Sequence, residues 1–393
     1  MIIKSKRIIT EEGIIDGYII IENKVIKEIA LSDRNLQADL DVGNMRIIPG
    51  IVDCHNHGTQ GYSLMDEIDE AGIRGYLKGL ASQGVTAVFP TCSVNLIKKI
   101  AEFSNQDVDG AKIVGIHSEG PWLNRVGEKG VKTTLEKVSI ETAQKMIVDG
   151  KGKLRLVALA PEIPGIEPIM KLFVDNGIKV AIAHSDMNYK QSIAAINAGA
   201  SVATHLGNVM TGLHHRDVGV FGACLLNEKV DCELICDGLH ICLEMLTIIL
   251  KVKAHHQIMM ISDCTAMAGA PVGRYKTFIE GVNYINVDKQ GFVLSDTGRL
   301  CGSSKGIIYG IKNLVEQLHL PIEEVVKMSS LNACNIYGIK NKGSLKAGND
   351  ADLVIIDDNY DVLKTFSEGK LVYDVNVDQN VFNPEFLKEN LIE

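Results

Sequence analysis

A chain of 393 residues with 46% hydrophobic and 23% charged side chains carries too much apolar surface to be disordered and enough to bury a large core. Its formal net charge of -9 argues against nucleic acid or membrane as a partner, since both present phosphate, so an anionic ligand must meet a local positive cluster. Nine cysteines stand singly, at 54, 92, 224, 232, 236, 242, 264, 301 and 334, with no Cys-x-x-Cys pair. Scattered thiols, a charged N-terminus and no apolar run of membrane-spanning length point to the cytoplasm.

In chain order, residues 1 to about 46 alternate short β-branched runs (2–3, 8–10, 18–21, 25–29) with turn residues such as Glu12-Gly13, Asp16-Gly17 and Glu22-Asn23-Lys24. These are hairpin signals and predict a small β unit. The apolar run 48–52, opened by Pro49 and Gly50, then empties into Asp53, His55 and His57. Two histidines at i and i+2 point to one side of an extended chain and offer two ligand directions from a rigid strand end. Such a pair taken alone is far more often an accident of surface or core than a metal site.

Beyond it, apolar strand-like runs alternate with helix-like segments at 50–54, 85–90, 112–117, 154–160, 179–184, 201–205, 231–237 and 257–263. Helical periodicity fills several gaps, at 71–82, 166–176, 190–198 and 243–253. Eight such alternations are what a (β/α)8 barrel requires; a doubly wound open sheet is the structural alternative. Hairpin texture returns in GSLKAGNDADLVIID (343–357) and EGKLVY (368–373), which predicts that the two ends of the chain pair into one sheet domain.

Polar residues gather at the C-terminal ends of these runs. His55 and His57 follow the first, His117 and Glu119 the third, His184 ends the fifth, His205 the sixth, Asp237 and His240 follow the seventh, and Asp263 ends the eighth. Each alone reads as a cap or a satisfied core histidine. In a barrel those ends converge on one face, and the constellation outweighs the single readings. Four histidines and two carboxylates, without paired thiolates, suit Zn²⁺, Mn²⁺ or Fe²⁺ in an open catalytic site. Such an ion makes hydroxide available near neutral pH and polarises a carbonyl, which fits hydrolysis of an amide or ester. Asp263, followed by the small-residue stretch TAMAGAPVG, is the candidate for taking the proton of the attacking water. Arg216, beside His214 and His215, is the best local positive cluster for an anion, its bland alternative being a solvated pair with Asp217. Gly302-Ser303-Ser304-Lys305 looks like a phosphate loop but lacks the full spacing.

At this point the sequence resembles the N-acetylglucosamine-6-phosphate deacetylases of the amidohydrolase superfamily along nearly its whole length. The resemblance is carried by PGIVDCHNHG (49–58), HSEGPWLN (117–124), APE (160–162), AHSD (183–186), THLGNVMTGLHHRDVG (204–219), ICDGLH (235–240), SDCTAMAGAP (262–271), LCGSS (300–304) and KGSLKAGNDADLVIID (342–357). It implies a (β/α)8 barrel over 49–338 and a small β-sandwich built from 1–48 and 339–393. It implies Glu119, His184 and His205 as metal ligands and Asp263 as the general base and then acid. His55 and His57, which some members have lost, imply a second ion bridged by Glu119, hence one or two divalent ions per subunit, Zn²⁺ first. For the sugar phosphate it points to Asn208, the backbone near Val209, Arg216 and His240, and it places the loop Leu300, Cys301 and Gly302 by the acetamido group. It also implies a homodimer.

The chain departs from the family at Gly207, where an aromatic residue is usual, at Val209, where alanine is usual, and at Val131 and Lys132, where members often offer His or Gln to the substrate carbonyl. These positions leave open the sugar epimer and the carbonyl's partner. The leading expectation is removal of acetate from N-acetylglucosamine 6-phosphate. N-acetylgalactosamine 6-phosphate is an alternative substrate, another amidohydrolase such as an N-acyl amino acid deacylase or cyclic amidase a second reading, and a catalytically silent sugar-phosphate sensor a third.

Overall fold

The structure is a computed structural model that describes residues 1–65, 67–124, 137–276, 284–296, 298 and 300–392, so Val131 and Lys132 lie outside the described residues. Strands from both ends of the chain share one sheet, in the order Lys370–Asp374, Val362–Ser367, Leu353–Ile356, Arg46–Pro49, Ile2–Thr10, Gly13–Glu22 and Val25–Leu31, with Leu40–Asp41 beside Ile2–Thr10. The join is the antiparallel pairing of Leu353–Ile356 with Arg46–Pro49. Ile3, Ile8, Ile19, Ile47, Leu353, Ile355 and Phe366 bury against one another on this sheet. The period-two alternation of β-branched residues gives each strand one apolar face to bury.

Asp16-Gly17 is not the turn that its composition suggests. Both residues lie inside the strand Gly13–Glu22, and a Cβ on Gly17 would stand 2.0 Å from the Ala30 carbonyl oxygen of the neighbouring strand. Glycine is there for close backbone approach, while Asn23 and Lys24, at φ 49° and 73°, make the actual reversal.

The centre of the chain forms a curled parallel sheet whose strands follow one another in sequence order. They are Ile51–Asn56, Val85–Pro90, a third in two pieces, Leu154–Leu159, Lys179–Ile182, Ala200–Ala203, Asp231–Ile235 and Ile258–Ile261. The third, expected as one run over 112–117, breaks at Val114 and Gly115. Lys112–Ile113 pairs with the second strand and Ile116–Glu119 with the fourth. A Cβ on Gly115 would lie 2.4 Å from the Phe89 ring, so glycine at this position lets that ring pack against the backbone. The eighth strand returns to the first: the Asp263 N–H donates to the His55 carbonyl (2.9 Å) and the His57 N–H to the Cys264 carbonyl (2.8 Å).

Alternation along these strands feeds two cores. Leu156, Ala158, Ala181, Val202 and Ile261 bury on one side with Phe89 and Tyr337. Val157, Leu159, Val180, Ile182 and Met260 bury on the other, against Ile73, Leu77, Ile169 and Phe173 of the covering helices. Helices Glu70–Ala81, Glu167–Asp175, Tyr189–Asn197 and Leu243–Val252 lie where the 3.6-residue periodicity places them. Asn188 and Gln191 close a capping box at the third of these. After the eighth strand the chain makes a three-stranded antiparallel sheet (Gly273–Lys276, Tyr284–Val287, Val293–Ser295) that the small-residue pattern did not suggest. Among the described residues no helix is long and apolar enough to cross a membrane.

Asp53 ties the first strand to the exit of the eighth. It accepts the Ser262 hydroxyl (2.6 Å) and backbone N–H (3.2 Å) and the Asn56 amide (3.1 Å). Burial pushes its carboxyl up from 3.8 to about 6, an effect that these hydrogen bonds only partly offset. The folded chain therefore binds a proton between about pH 4 and 6 that the unfolded chain has released. This contribution to stability is complete at the acid end and is lost as pH rises through about 6, in all about 3 kcal/mol. Urea unfolding of chelator-treated protein across that window should show the loss, and Asp53→Asn should remove most of it. Identical pH slopes in the two proteins would assign the effect to another group.

Candidate active site

His55 lies within the first parallel strand and His57 one residue past its end, and their Nε2 atoms come within 3.1 Å. Glu119 is the last residue of the third strand. Its Oε1 stands 3.0 Å from His184 Nε2 and 3.0 Å from His205 Nε2, and its Oε2 stands 3.2 Å from His57 Nε2. The two Nε2 atoms of His184 and His205 are 3.2 Å apart. Asp263 completes the group, with Oδ1 3.5 Å from His55 Nε2 and 3.3 Å from His57 Nε2. Residues more than two hundred positions apart in sequence, His55 and Asp263, thus meet at strand exits.

The backbone is bent to achieve this. His184, His205 and Asp263 all leave their strands with positive φ, at 48°, 30° and 50°. Each such conformation costs about 1–3 kcal/mol for a residue with a side chain, and strain of this kind persists where function needs the side chain re-aimed.

Burial opposes charge on His55, yet Asp263, Glu233 and Glu119 together push it up to about 10, and Asp263 and Glu119 raise His57 to about 9. The carboxylates respond in the opposite sense. Burial would raise Glu119 and Asp263, but the surrounding imidazoles outweigh it and hold both well below the usual carboxylate range. A field that draws protons onto buried histidines also favours a divalent cation in their place.

The donor geometry fits a metal ion. A tetrahedral ion with bonds of about 2.0–2.1 Å holds its ligand atoms roughly 3.3 Å apart. The separations of 3.0, 3.0 and 3.2 Å within Glu119, His184 and His205 are of that size. Two imidazole nitrogens this close would repel through their lone pairs without a cation or proton between them. His55, His57 and Glu119 form a second group of the same kind. Glu119 belongs to both, as a bridging carboxylate would.

Other residues singled out from the sequence sit around this cluster in different ways. Asn208 is buried, its amide and backbone N–H both donating to the His205 carbonyl (3.1 and 2.9 Å). Val209 holds φ 50°, an outlier for a β-branched residue, and Gly207 at φ 96° makes the preceding bend at no steric cost. His240 is gripped by Asp237, Nδ1 to Oδ2 at 2.7 Å. The 300–302 loop abuts Asp263: the Ser303 N–H donates to the Asp263 carbonyl (3.3 Å), and Thr265 N–H donates to Ser303 (3.1 Å). Gly302, at φ 80°, has Thr265 packed where a Cβ would point. Leu300 bridges to Leu294, and Cys301 is buried.

Arg216 is exposed and does not pair with Asp217, which instead accepts the backbone N–H groups of Tyr189 (3.1 Å) and Gly219 (2.9 Å). Among the described residues its guanidinium has no ion-pair partner. Lys305, the lysine of the phosphate-loop look-alike, is engaged with the Gln290 carbonyl and lies over the Phe292 and Tyr309 rings. One residue of the site escaped the sequence reading altogether. Glu233, in the middle of the seventh strand, is fully buried and meets His55 Nδ1 at 2.9 Å. Its signal was a lone acid inside the otherwise apolar run CELIC, which the strand assignment absorbed.

His184→Ala and His205→Ala should each lower the zinc retained after dialysis at limiting free metal by at least tenfold, measured by elemental analysis, with far-UV circular dichroism unchanged. Retention at the level of the unaltered protein would exclude these imidazoles as ligands.

The amidohydrolase family profile matches residues 46–372. The N-acetylglucosamine-6-phosphate deacetylase of Vibrio furnissii is 33% identical over 369 residues, covering 90% of each chain. The N-acetylgalactosamine-6-phosphate deacetylase of Escherichia coli O157:H7 is 30% identical over 383 residues, covering 94% of this chain and 98% of that one. A crystal structure of N-acetyl-D-glucosamine-6-phosphate deacetylase from Mycobacterium smegmatis, 25% identical, matches with a TM-score of 0.83 over 95% of this chain and 100% of that chain. The chain belongs to the amidohydrolase family and, within it, to the N-acetylglucosamine-6-phosphate deacetylases.

Proposed function

We propose that this protein hydrolyses the amide of an N-acetylated amino-sugar 6-phosphate, N-acetylglucosamine 6-phosphate first, to acetate and the free amine. The observation that carries the reading is Glu119 held between two pairs of imidazoles with the Asp263 carboxylate alongside. Glu119, His184 and His205 would hold one divalent ion, with Zn²⁺ first and Fe²⁺ or Mn²⁺ as alternatives, and His55 and His57 would share Glu119 with a second. Such an ion supplies an activated water near neutral pH and an electrophile for the acyl oxygen.

The chain's own groups supply the rest. Asp263, kept ionised by its histidine neighbours, accepts the proton of the attacking water and returns it to the departing nitrogen, whose expulsion as a neutral amine requires it. Leu300, Cys301 and Gly302 would line the acetamido group, which suits a segment fastened to the backbone of Asp263. Asn208, the backbone at Val209 and His240 would fix the sugar. Arg216 would take the phosphate in a bidentate grip, consistent with an exposed guanidinium in a chain of net charge -9. N-acetylgalactosamine 6-phosphate is the second substrate to test, because a relative of that name aligns over 94% of this chain.

The fold reading that goes with this is a closed (β/α)8 barrel over 49–338 and a β-sandwich from 1–48 and 339–393. It is supported by the sequence-ordered parallel strands and the backbone hydrogen bonds from the eighth strand's exit to the first. A homodimer in the cytoplasm completes the proposal; nine cysteines, eight of them buried, suit reducing surroundings.

Acetate release from N-acetylglucosamine 6-phosphate should vanish on thorough chelation and return with added Zn²⁺. Activity that survives chelation would defeat the reading. Asp263→Asn should lower kcat by about 10²–10⁴-fold with KM little changed. Arg216→Met should raise KM for the phosphorylated sugar roughly 10- to 100-fold and leave turnover of the unphosphorylated sugar as it was. Equal losses on both sugars would remove Arg216 from the phosphate site.

A further inference from the structure

Glu233 has no place in the chemistry described above, yet it is a carboxylate with no exposure, in the middle of a central strand. A buried carboxylate costs several kcal/mol unless it is paired, so its partners identify its work. Oε2 meets His55 Nδ1 at 2.9 Å, and the same oxygen accepts the backbone N–H of His205 at 3.4 Å. The Glu233 carbonyl accepts the N–H of Leu206 at 2.8 Å, so one residue of the seventh strand holds both the first-strand histidine and the start of the turn that carries His205.

The chemistry of imidazole gives these contacts a consequence. A neutral ring carries one proton, and a carboxylate at Nδ1 keeps it there, leaving the Nε2 lone pair bare and the ring more basic. His55 Nε2 is the atom that approaches His57 Nε2 (3.1 Å), Asp263 Oδ1 (3.5 Å) and Glu119 Oε1 (3.8 Å). His205 leaves its strand at φ 30°, with its N–H directed at Glu233 Oε2 and its Nε2 3.0 Å from Glu119. His117 also lies close, its ring edge-on to His55 at 4.5 Å; its Nδ1 meets the Thr91 hydroxyl at 3.0 Å, and its Nε2 is buried with no hydrogen-bond partner among the described residues. With His55 Nδ1 engaged by Glu233 at 2.9 Å, the trio His55, His117 and Glu233 would act as a brace for the ring.

We propose that Glu233 is a positioning residue of the metal centre: through Oε2 it fixes the His55 tautomer and steadies the His205 backbone, so that both rings present Nε2 to the same carboxylate-bridged pair of subsites. This rests on reading His55 and His205 as ligands, and the test separates the two ideas. Zinc binding is measured by equilibrium dialysis against buffered free Zn²⁺ for the unaltered protein, Glu233→Gln and His55→Ala, with circular dichroism to confirm folding. Glu233→Gln should need about 10- to 100-fold more free Zn²⁺ to fill the subsite of His55 and His57, and His55→Ala should weaken the same subsite.

An unchanged midpoint in Glu233→Gln alongside a weakened His55→Ala would overturn the proposal and leave the ligand reading intact. Unchanged binding in both variants would overturn the ligand reading for His55 and the proposal with it. Should Glu233→Gln not fold, nitrogen-15 NMR of the zinc-loaded unaltered protein decides: protonated Nδ1 with metal-bound Nε2 on His55 supports the proposal, and the reverse tautomer overturns it.

Discussion

A single carboxylate, Glu119, lies within 3.2 Å of imidazole nitrogens from His57, His184 and His205, and the arrangement of the chain follows from the need to keep it there. None of these residues is near another in sequence except through the curled parallel sheet. Sequence-ordered strands place successive exits side by side, so the first, third, fifth, sixth and eighth exits each contribute one or two side chains to a common centre. The left-handed bends at His184, His205 and Asp263 then turn those side chains inward. The sheet supplies proximity and the bends supply aim.

Electrostatics makes the same centre costly without a cation. Four imidazoles and two carboxylates packed this closely leave lone pairs facing one another, and the carboxylates relieve this by holding protons on His55 and His57 well above the ordinary range for histidine. A divalent ion would satisfy the same lone pairs and would leave Asp263 free to accept a proton. The surroundings keep the cluster stiff. Asp53 and Ser262 lock the first strand to the eighth, and Glu233 braces His55 and His205 from the seventh. Together these contacts hold the six candidate side chains in strands or within two residues of strand ends.

How much of this was legible depended on whether a residue's chemistry broke the local pattern. Histidines closing apolar runs stand out, so His55, His57, His184 and His205 could be read from order and spacing, and Glu119 and Asp263 followed because they end strands as well. The strands themselves were legible from their unbroken apolar character, as fully buried parallel strands are. Glu233 was not, because one acid inside a buried strand leaves the hydrophobic run recognisable, and only the fold reveals that it faces His55. Gly17 misled in the opposite direction: Asp-Gly is a turn signal, and the reason for glycine there, the Ala30 carbonyl of the next strand, is not local. The sheet over Gly273–Ser295 escaped notice because its strands are short and follow a glycine-rich stretch that looks like loop.

The central claim is that Glu119, His184 and His205 bind one ion in common. Anomalous diffraction from zinc-loaded crystals, recorded on either side of the zinc absorption edge, tests it most directly. The account predicts an edge-dependent peak about 2.0–2.2 Å from Glu119 Oε1, His184 Nε2 and His205 Nε2 together. A zinc peak elsewhere in the molecule, with no density among those three atoms, would contradict it.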